Sequence, residues 1–500
     1  MSWTPAATSI LPRRRASCQR VVTGRGGLTS PLATTDPAAK VGRERPEREG
    51  SCWAADAYAR WVSRRQGLRT ADSVWAAAEA ASPVEAVEAV TRELGQVLGA
   101  TKVSFLIADL SGRALVRLAH VQLSAAEGAA INTPLAHNER RADEESATAL
   151  PLDGGPAEQA LRTQQVQVVE QESGGSGSES SGSWVALAPV TERGEAIGLL
   201  ELTLPGRPHT DTQIQIARLA HLLAFVVIAN RRHTDLYEWG QRTRPLSLSA
   251  EIQHRLLPGP QTCEAKSFTL AGWLEPAAAI AGDTFDFSLA RDVLHLSLTD
   301  AMGHGVAAAL AATLCVGSLR NARSAGASLL EQVALTNQAL FEHAAKSGLE
   351  DFVTGLIGRV DLRTGSTELV NAGHVAPYLA RGSHTRTVNL PGDVPLGMFE
   401  ETTYRSTRLV LEPGDRIVLL TDGMVERNAV DMDFPAVIAE TRALHPREAV
   451  RMMADRVLEA TDNTLNDDAT VLCLDWHGGH GRDRDSVHGA ETARASRPLD

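Results

Sequence analysis

Four short strings put aspartate at the end of an apolar run or inside a glycine turn. They are Ala281-Gly282-Asp283-Thr284-Phe285-Asp286, Thr299-Asp300-Ala301-Met302-Gly303-His304-Gly305, Thr421-Asp422-Gly423 and Asn466-Asp467-Asp468-Ala469-Thr470. A carboxylate at a strand end is held by a rigid scaffold yet reaches solvent, where a cation can meet it. Glycine beside it lets a backbone carbonyl approach the ion. Several such carboxylates on one spot repel one another unless a cation lies between them, and hard oxygen donors favour Mg²⁺ or Mn²⁺ over zinc. Two ions about 3.5–4 Å apart can activate a water and neutralise a phosphoryl group during in-line displacement. A single Asp-Gly is usually a turn. Four such strings in order, each tied to its own strand, point to metal chemistry.

The elements that must hold these aspartates are legible around them. Leu294, Leu296 and Leu298 alternate with His295, Ser297 and Thr299, the pattern of a strand with one buried face running into Asp300. Arg416 to Leu420 is an apolar run before Asp422, and Thr470 to Leu474 follows Asp468. After Gly305, Val306 to Leu319 reads as an alanine-rich helix able to lie close on a sheet. Ser328 and Glu331 form a capping box for a second helix, with Leu330, Val333, Leu340 and Phe341 as its apolar stripe. Upstream, residues 233–260 read as a connecting helix stopped by Pro258 and Gly259. It serves either as a spacer or as a helix that pairs across a homodimer and passes a signal.

A chain of 500 residues with 43% apolar content has room for two or three domains. The formal net charge of −12 argues against a nucleic-acid binder. Five scattered cysteines (Cys18, Cys52, Cys263, Cys315, Cys473) form no zinc or disulfide pattern, which fits a reducing cytoplasm. Few lysines against many arginines, with abundant alanine, suggest a bacterial source. The strongest apolar run, Leu219 to Ala229, is too short to span a bilayer, so no membrane segment is expected. Residues 1–65 and 478–500 are expected to be disordered.

Between them, Ser82 to Glu85 reads as a capping box before a helix through Leu98, followed by a strand from Val103 to Ala108 and a hairpin strand from Ala114 to Val121. A helix over Ala157–Arg162 and strands at Val166–Val169, Trp184–Val190 and Ala196–Leu204 follow. A Ser/Gly-rich flexible loop lies between Glu172 and Ser183, and a helix from Thr212 to Asn230 closes the unit. This order, with the string VALAPVTERGEAIGLLEL, resembles a GAF-type sensor domain over residues 72–232. No ligand position is carried over from that resemblance.

The second half, residues 263–477, resembles the SpoIIE-like or RsbU-like branch of the PPM family of metal-dependent protein phosphatases. The matching strings are IQHRLLPGP, AGDTFDF, LTDAMGHGVAAALAA, LVNAGHVAPYL, DVPLGM, LEPGDRIVLLTDGMVERN and NDDATVLCLDW, in family order. The resemblance implies an α+β fold, an α-β-β-α sandwich of two antiparallel sheets, with two Mn²⁺ or Mg²⁺ ions at one end. It implies that Asp300 bridges the ions with the Ala301 carbonyl as a further ligand. Asp422 and Asp467 would bind the first ion, Asp283 and Asp286 would hold metal or its waters, and Asp468 would support them. The family usually has Gly-Gly-Asp where this chain has Ala281-Gly282-Asp283. PPM phosphatases with a histidine two residues after the bridging aspartate have Met302 there in this chain, so His304 inherits no role, and His374 is read as loop packing. The implied activity is hydrolysis of phosphoserine or phosphothreonine on a partner protein, an anti-sigma-factor antagonist, gated by the sensor. The helix pair after Gly305 would act as the switch. A catalytically silent module of the same fold is the rival reading. A nucleotide cyclase lacks the motif order, and a kinase lacks a glycine-rich phosphate loop with a lysine.

Overall fold

A computed structural model describes residues 70–110, 112–123, 149–171, 183–242, 246–276, 282–348, 351–425, 432–462, 465–479, 484, 486 and 488–499. The expectation of disorder for residues 1–65, the flexible loop over 172–182 and position Ala281 lie outside them.

In the first half, helix α1 (Ala86–Leu98) precedes strands β1 (Lys102–Ala108), β2 (Ala114–Gln122) and β3 (Ala149–Pro151). Helix α2 (Pro156–Thr163) and strands β4 (Gln167–Gln171), β5 (Ser183–Glu192) and β6 (Glu195–Leu204) follow, and α3 (Thr210–Asn230) ends the unit. The six strands make one sheet in the order β3-β2-β1-β6-β5-β4. Alternation along β1 sends Val103, Phe105 and Ile107 to one face, where Val90 and Leu94 of α1 and Leu219 and Leu223 of α3 cover them. Leu106 points the other way, against Ala160 and Leu161 of α2. The capping box expected at Ser82 is not formed. Glu85 is itself the cap residue of α1, and the Ser82 hydroxyl donates to the Glu85 carboxylate instead.

The connection is not one helix but two short ones, α4 (Leu236–Gly240) and α5 (Leu248–Leu256), the second capped by the Ser247 hydroxyl accepting from the Ala250 amide. Pro245, which has no amide hydrogen to donate, lies in the sequence between them.

The second half is a sandwich. Strands β7 (Thr262–Glu264), β8 (Phe268–Glu275), β9 (Asp283–Leu289) and β10 (Val293–Ala301) lead into helices α6 (Gly305–Ser324) and α7 (Leu329–Ser347). After these come β11 (Val353–Asp361), β12 (Ser366–Ala372), β13 (Tyr378–Arg381), β14 (His384–Thr387), β15 (Gly392–Asp393), β16 (Ser406–Val410) and β17 (Arg416–Leu420). Helices α8 (Phe434–Glu440) and α9 (Pro446–Ala460) and strand β18 (Ala469–Trp476) complete it. One sheet runs β15-β12-β11-β10-β9 with β16 beside β12, and the other β14-β13-β17-β18-β8-β7. Leu294, Leu296, Leu298 and Phe285 of the first sheet meet Leu270, Ile417, Leu419 and Leu472 of the second in the inner core. Outside, the small residues Ala308, Ala312 and Cys315 let α6 lie on Ile357 and Val370 of the first sheet. Val450, Met453 and Val457 of α9 cover Val418, Val471 and Cys473 of the second. The α-β-β-α sandwich implied by the resemblance is therefore the observed fold. The capping box at Ser328 and Glu331 is present.

Two features depart from expectation. Helices α3 and α6 are each long and apolar enough by composition to cross a membrane, because α3 extends well beyond the short apolar run; each lays an apolar face on a sheet of its own half. Residues 488–499, expected as disordered tail, are placed along the seam between the two halves. The Gly489 carbonyl accepts from the Gly194 amide, and Ser496 is buried against His445 and Glu448. These contacts are made by backbone and charge, which leave no apolar periodicity in the sequence.

Candidate functional site

Strand alternation positions the carboxylates. Leu294, Leu296 and Leu298 of β10 face the inner core, so Asp300, next in their row, stands at the mouth between the sheets. Directly opposite on β9 is Asp283, in the row of Phe285. On the facing sheet, Ile417 and Leu419 of β17 set the row that Thr421 ends, and Leu472 and Leu474 of β18 set the row of Thr470 and Asp468. The Thr421 hydroxyl donates to Asp283 at 2.7 Å and accepts from the Thr470 amide at 2.9 Å, tying the two sheets at the mouth.

Asp422 opens a tight turn, Asp422–Val425, and is exposed. The turn lies so close to the neighbouring loop that a Cβ on Gly423 would stand 2.0 Å from the Asp468 carbonyl oxygen. Only glycine permits that approach, which brings Asp422 beside Asp467. Asp467 in turn accepts from the Asp468 amide at 2.8 Å. Gly282 plays the same part on the other side: a Cβ there would meet the Ala301 carbonyl oxygen at 2.5 Å and Asp300 at 3.3 Å.

The charges of this group oppose one another. Burial first, then the charges of Asp422, Asp467 and Asp468, push the Asp300 carboxyl up to about 7. Asp283 is raised well above its ordinary value by burial, Asp300 and Asp468, with hydrogen bonds from Thr470 and Thr421 offsetting part of this. Among the described residues, the groups acting most strongly on the pair are acids and threonines, and none is basic. Carboxylate oxygens with a carbonyl alongside, and a positive charge lacking, fit hard divalent cations. Among the described residues no three acidic, imidazole or thiolate side chains already stand as an ion cage.

Asp286, expected among the metal residues, does not join them. Three positions along a strand reverse the side chain, so Asp286 faces α6 while Asp283 faces the mouth. Arg320 reaches one Asp286 oxygen at 2.9 Å and Arg323 the other at 3.2 Å. Both oxygens are thus engaged by guanidinium groups, and Asp286 is a structural anchor for α6.

Gln253 of α5 was not anticipated. Its buried side-chain amide donates to the Asp468 carboxylate at 2.6 Å and to the Asp283 carbonyl at 2.8 Å. Asp468 also accepts from the Gly282 amide at 3.3 Å. The linker helix therefore touches two of the acidic strings directly. The only trace of this in the sequence is an amide on the buried stripe of a short helix, in line with Ser249 and Leu256. His374 hydrogen-bonds Thr354, the cross-strand neighbour of Asp300, and its loop is closed by Asn371. Burial, partly offset by the Leu420 carbonyl, pushes the His374 imidazole down to about 4, so it is neutral at ordinary pH. His304 is exposed at the start of α6 and caps it without a side-chain bond.

Comparison with known proteins finds two family models. Residues 290–477 match Stage II sporulation protein E (SpoIIE), and residues 82–228 match the GAF domain. A region matching the GAF domain model is thus followed in the chain by one matching the SpoIIE model. Among curated proteins it is 22% identical over 235 residues to phosphoserine phosphatase RsbU of Bacillus subtilis, covering 46% of this chain and 69% of that one. It is also 22% identical over 190 residues to phosphoserine phosphatase RsbP of Bacillus subtilis, covering 37% of this chain and 46% of that one. Among solved structures, the RsbU and RsbW domains of Rv1364c from Mycobacterium tuberculosis share 27% identity, over 43% of this chain and 62% of that chain, at a TM-score of 0.38. The phosphatase domain with a regulatory fragment of SpoIIE from Bacillus subtilis shares 18% identity, over 42% of this chain and 64% of that chain, at 0.37. The matched region spans just under two thirds of each of these two structures.

Proposed function

We propose that residues 263–477 form a metal-dependent phosphatase that hydrolyses phosphoserine or phosphothreonine on a regulatory partner protein in the cytoplasm, and that the GAF domain gates it. The observation that carries this reading is the meeting of Asp283, Asp300, Asp422 and Asp467 at one mouth of the sandwich, where among the described residues the groups acting most strongly on Asp283 and Asp300 are other acids and threonines. In this reading Asp300, the Ala301 carbonyl, Asp422, Asp467 and Asp283 would hold the two cations. Asp468, held by Gln253 and the Gly282 amide, fixes the loop that carries Asp467. When bound, Mg²⁺ or Mn²⁺ would lower the pKa of a water so that its deprotonated form is available to attack phosphorus, and would neutralise charge on the phosphoryl oxygens. No side-chain nucleophile is required. The exposed mouth, with Asp422 at its rim, suits a phosphorylated segment of a protein rather than an enclosed small molecule. The likeness to two phosphoserine phosphatases supports phosphoserine as the group hydrolysed, and the partner class proposed is a phosphorylated anti-sigma-factor antagonist.

The test is Mn²⁺-dependent phosphate release from a phosphoserine protein by the full chain. Asp300→Asn and Asp422→Asn should each lower turnover by about 100-fold or more, the loss expected when several kcal/mol of charge stabilisation disappear. Full activity in either variant would overturn the assignment. The rival reading is a silent module of the same fold. It requires that no turnover appear at any Mn²⁺ concentration.

A further inference from the structure

A cavity of about 490 Å³ opens where the GAF domain, the linker and helix α9 meet, in the size range of small-molecule sites. Its apolar wall includes Leu161 and Ile197 from the GAF domain, Leu257 from the linker, and Trp273 and Val450 from the catalytic half. Some of the arginines around it are already engaged. Arg447 binds Glu448 and the carbonyls of Gly194 and Leu161, Arg255 binds Glu238 and Glu251, and Arg162 donates to the Arg497 carbonyl. The nearby acids are engaged as well. Glu448 also accepts from Ser496, Glu158 from the Gly154 amide, and Asp109 from the amides of Arg113 and Ala114. Glu195 is hydrogen-bonded to Thr262.

Arg451 differs. It lines the cavity part-buried, and among the described residues no acceptor lies within hydrogen-bond or ion-pair distance of its guanidinium. At the rim, Arg231 and Arg232 are exposed and likewise hold no acid, and Arg231 lies over Gly259, where an added Cβ would stand 3.2 Å from it. A sheltered guanidinium facing open space, with two more cations at the entrance and aromatic and aliphatic walls, is complementary to an anion that carries an apolar body.

We infer that this cavity is a binding site for a small organic anion, its charged group seated on Arg451 and its apolar body against Trp273, Leu161 and Ile197. Burial lowers the Arg451 pKa, with the attraction of Asp455, Glu448 and Glu158 offsetting only part of that cost, as expected of a cation awaiting a direct partner. Because the walls come from both domains and the linker, the ligand binds the assembled junction and stabilises it by mass action. This inference does not depend on the phosphatase reading.

The experiment titrates the full chain with naphthalene-1-sulfonate, which a phosphatase cannot hydrolyse, beside neutral naphthalene-1-methanol and sodium sulfate. The sulfonate should bind one to one, at least tenfold more tightly than either comparison compound. Arg451→Met should remove that advantage while leaving the unfolding midpoint of the free protein unchanged, and Arg451→Lys should keep part of it. Should Arg451→Met fail to fold, Leu110→Trp, which narrows the cavity from a part-exposed loop, should weaken the sulfonate instead. Absence of saturable sulfonate binding, equal binding of the neutral compound or of sulfate, or binding indifferent to whichever of these two variants folds would overturn the inference.

Discussion

Asp283 and Asp286 sit three positions apart on one strand and meet opposite environments, acids at the mouth for one and arginines of α6 for the other. Their asparagine variants should therefore fail differently. Asp283→Asn removes a negative charge from the proposed ion site and should weaken Mn²⁺ activation with little loss of stability, since relief of repulsion with Asp300 compensates. Asp286→Asn strands two guanidinium groups, one of them well exposed, and should cost about 2 kcal/mol of stability while leaving the Mn²⁺ requirement of the remaining folded protein unchanged. Urea melts and Mn²⁺ titrations on the two proteins separate these outcomes, and an Asp286→Asn protein with normal stability but a raised Mn²⁺ requirement would restore Asp286 to the metal set. The aspartate strings were legible from residue type because strand ends and glycine turns are written locally. The fate of Asp286 was not, because it depends on which face α6 covers and on arginines more than thirty positions away.

At the level of elements, the two helices that flank the mouth are joined through side chains rather than apolar packing alone. Arg320 of α6 binds both Asp286 and the Leu256 carbonyl that ends α5, while Gln253 of α5 binds Asp468 and the Asp283 carbonyl. A shift of α5 along its axis cannot occur without moving or breaking these bonds, so the linker and the acidic loops are mechanically connected. Gln253→Ala should lower Mn²⁺ affinity by roughly 10- to 100-fold, the usual effect of removing a partner that orients a ligand, with a much smaller effect on turnover at saturating Mn²⁺. An affinity within twofold of the native value would show that α5 is only a cover. The helices themselves were readable: the Ala-rich run after Gly305 and the Ser328 cap appear as expected. The division of the linker into α4 and α5 is marked only by Gly240 and Pro245, ahead of the amphipathic run that begins at Ser247.

Over the whole molecule, the GAF domain and the sandwich belong to one compact unit, and much of their seam is polar. Arg113 of the β1–β2 turn reaches Glu275 and Asp455, the Glu264 amide donates to the Arg193 carbonyl, and the 488–499 segment runs along both halves. At its centre is Glu264, buried and contacted by His445 at 3.2 Å, Arg484 at 2.8 Å and the Glu491 amide at 2.9 Å. Burial alone would raise its pKa, but His445, the Glu491 amide and Arg484 outweigh it and hold the carboxyl at about 2 against an ordinary 4.5. The folded protein therefore binds this proton less readily than the unfolded chain. Glu264 contributes its full stabilisation above pH 4.5 and loses it as the pH falls toward 2. Glutamine at this position cannot titrate. In urea, native protein and Glu264→Gln should differ by roughly 3 kcal/mol at pH 6, the cost of breaking a buried charge pair, and by progressively less below pH 4.5. A gap that stays constant from pH 6 to pH 3 would mean that the seam is held by shape, with the charge on Glu264 contributing nothing.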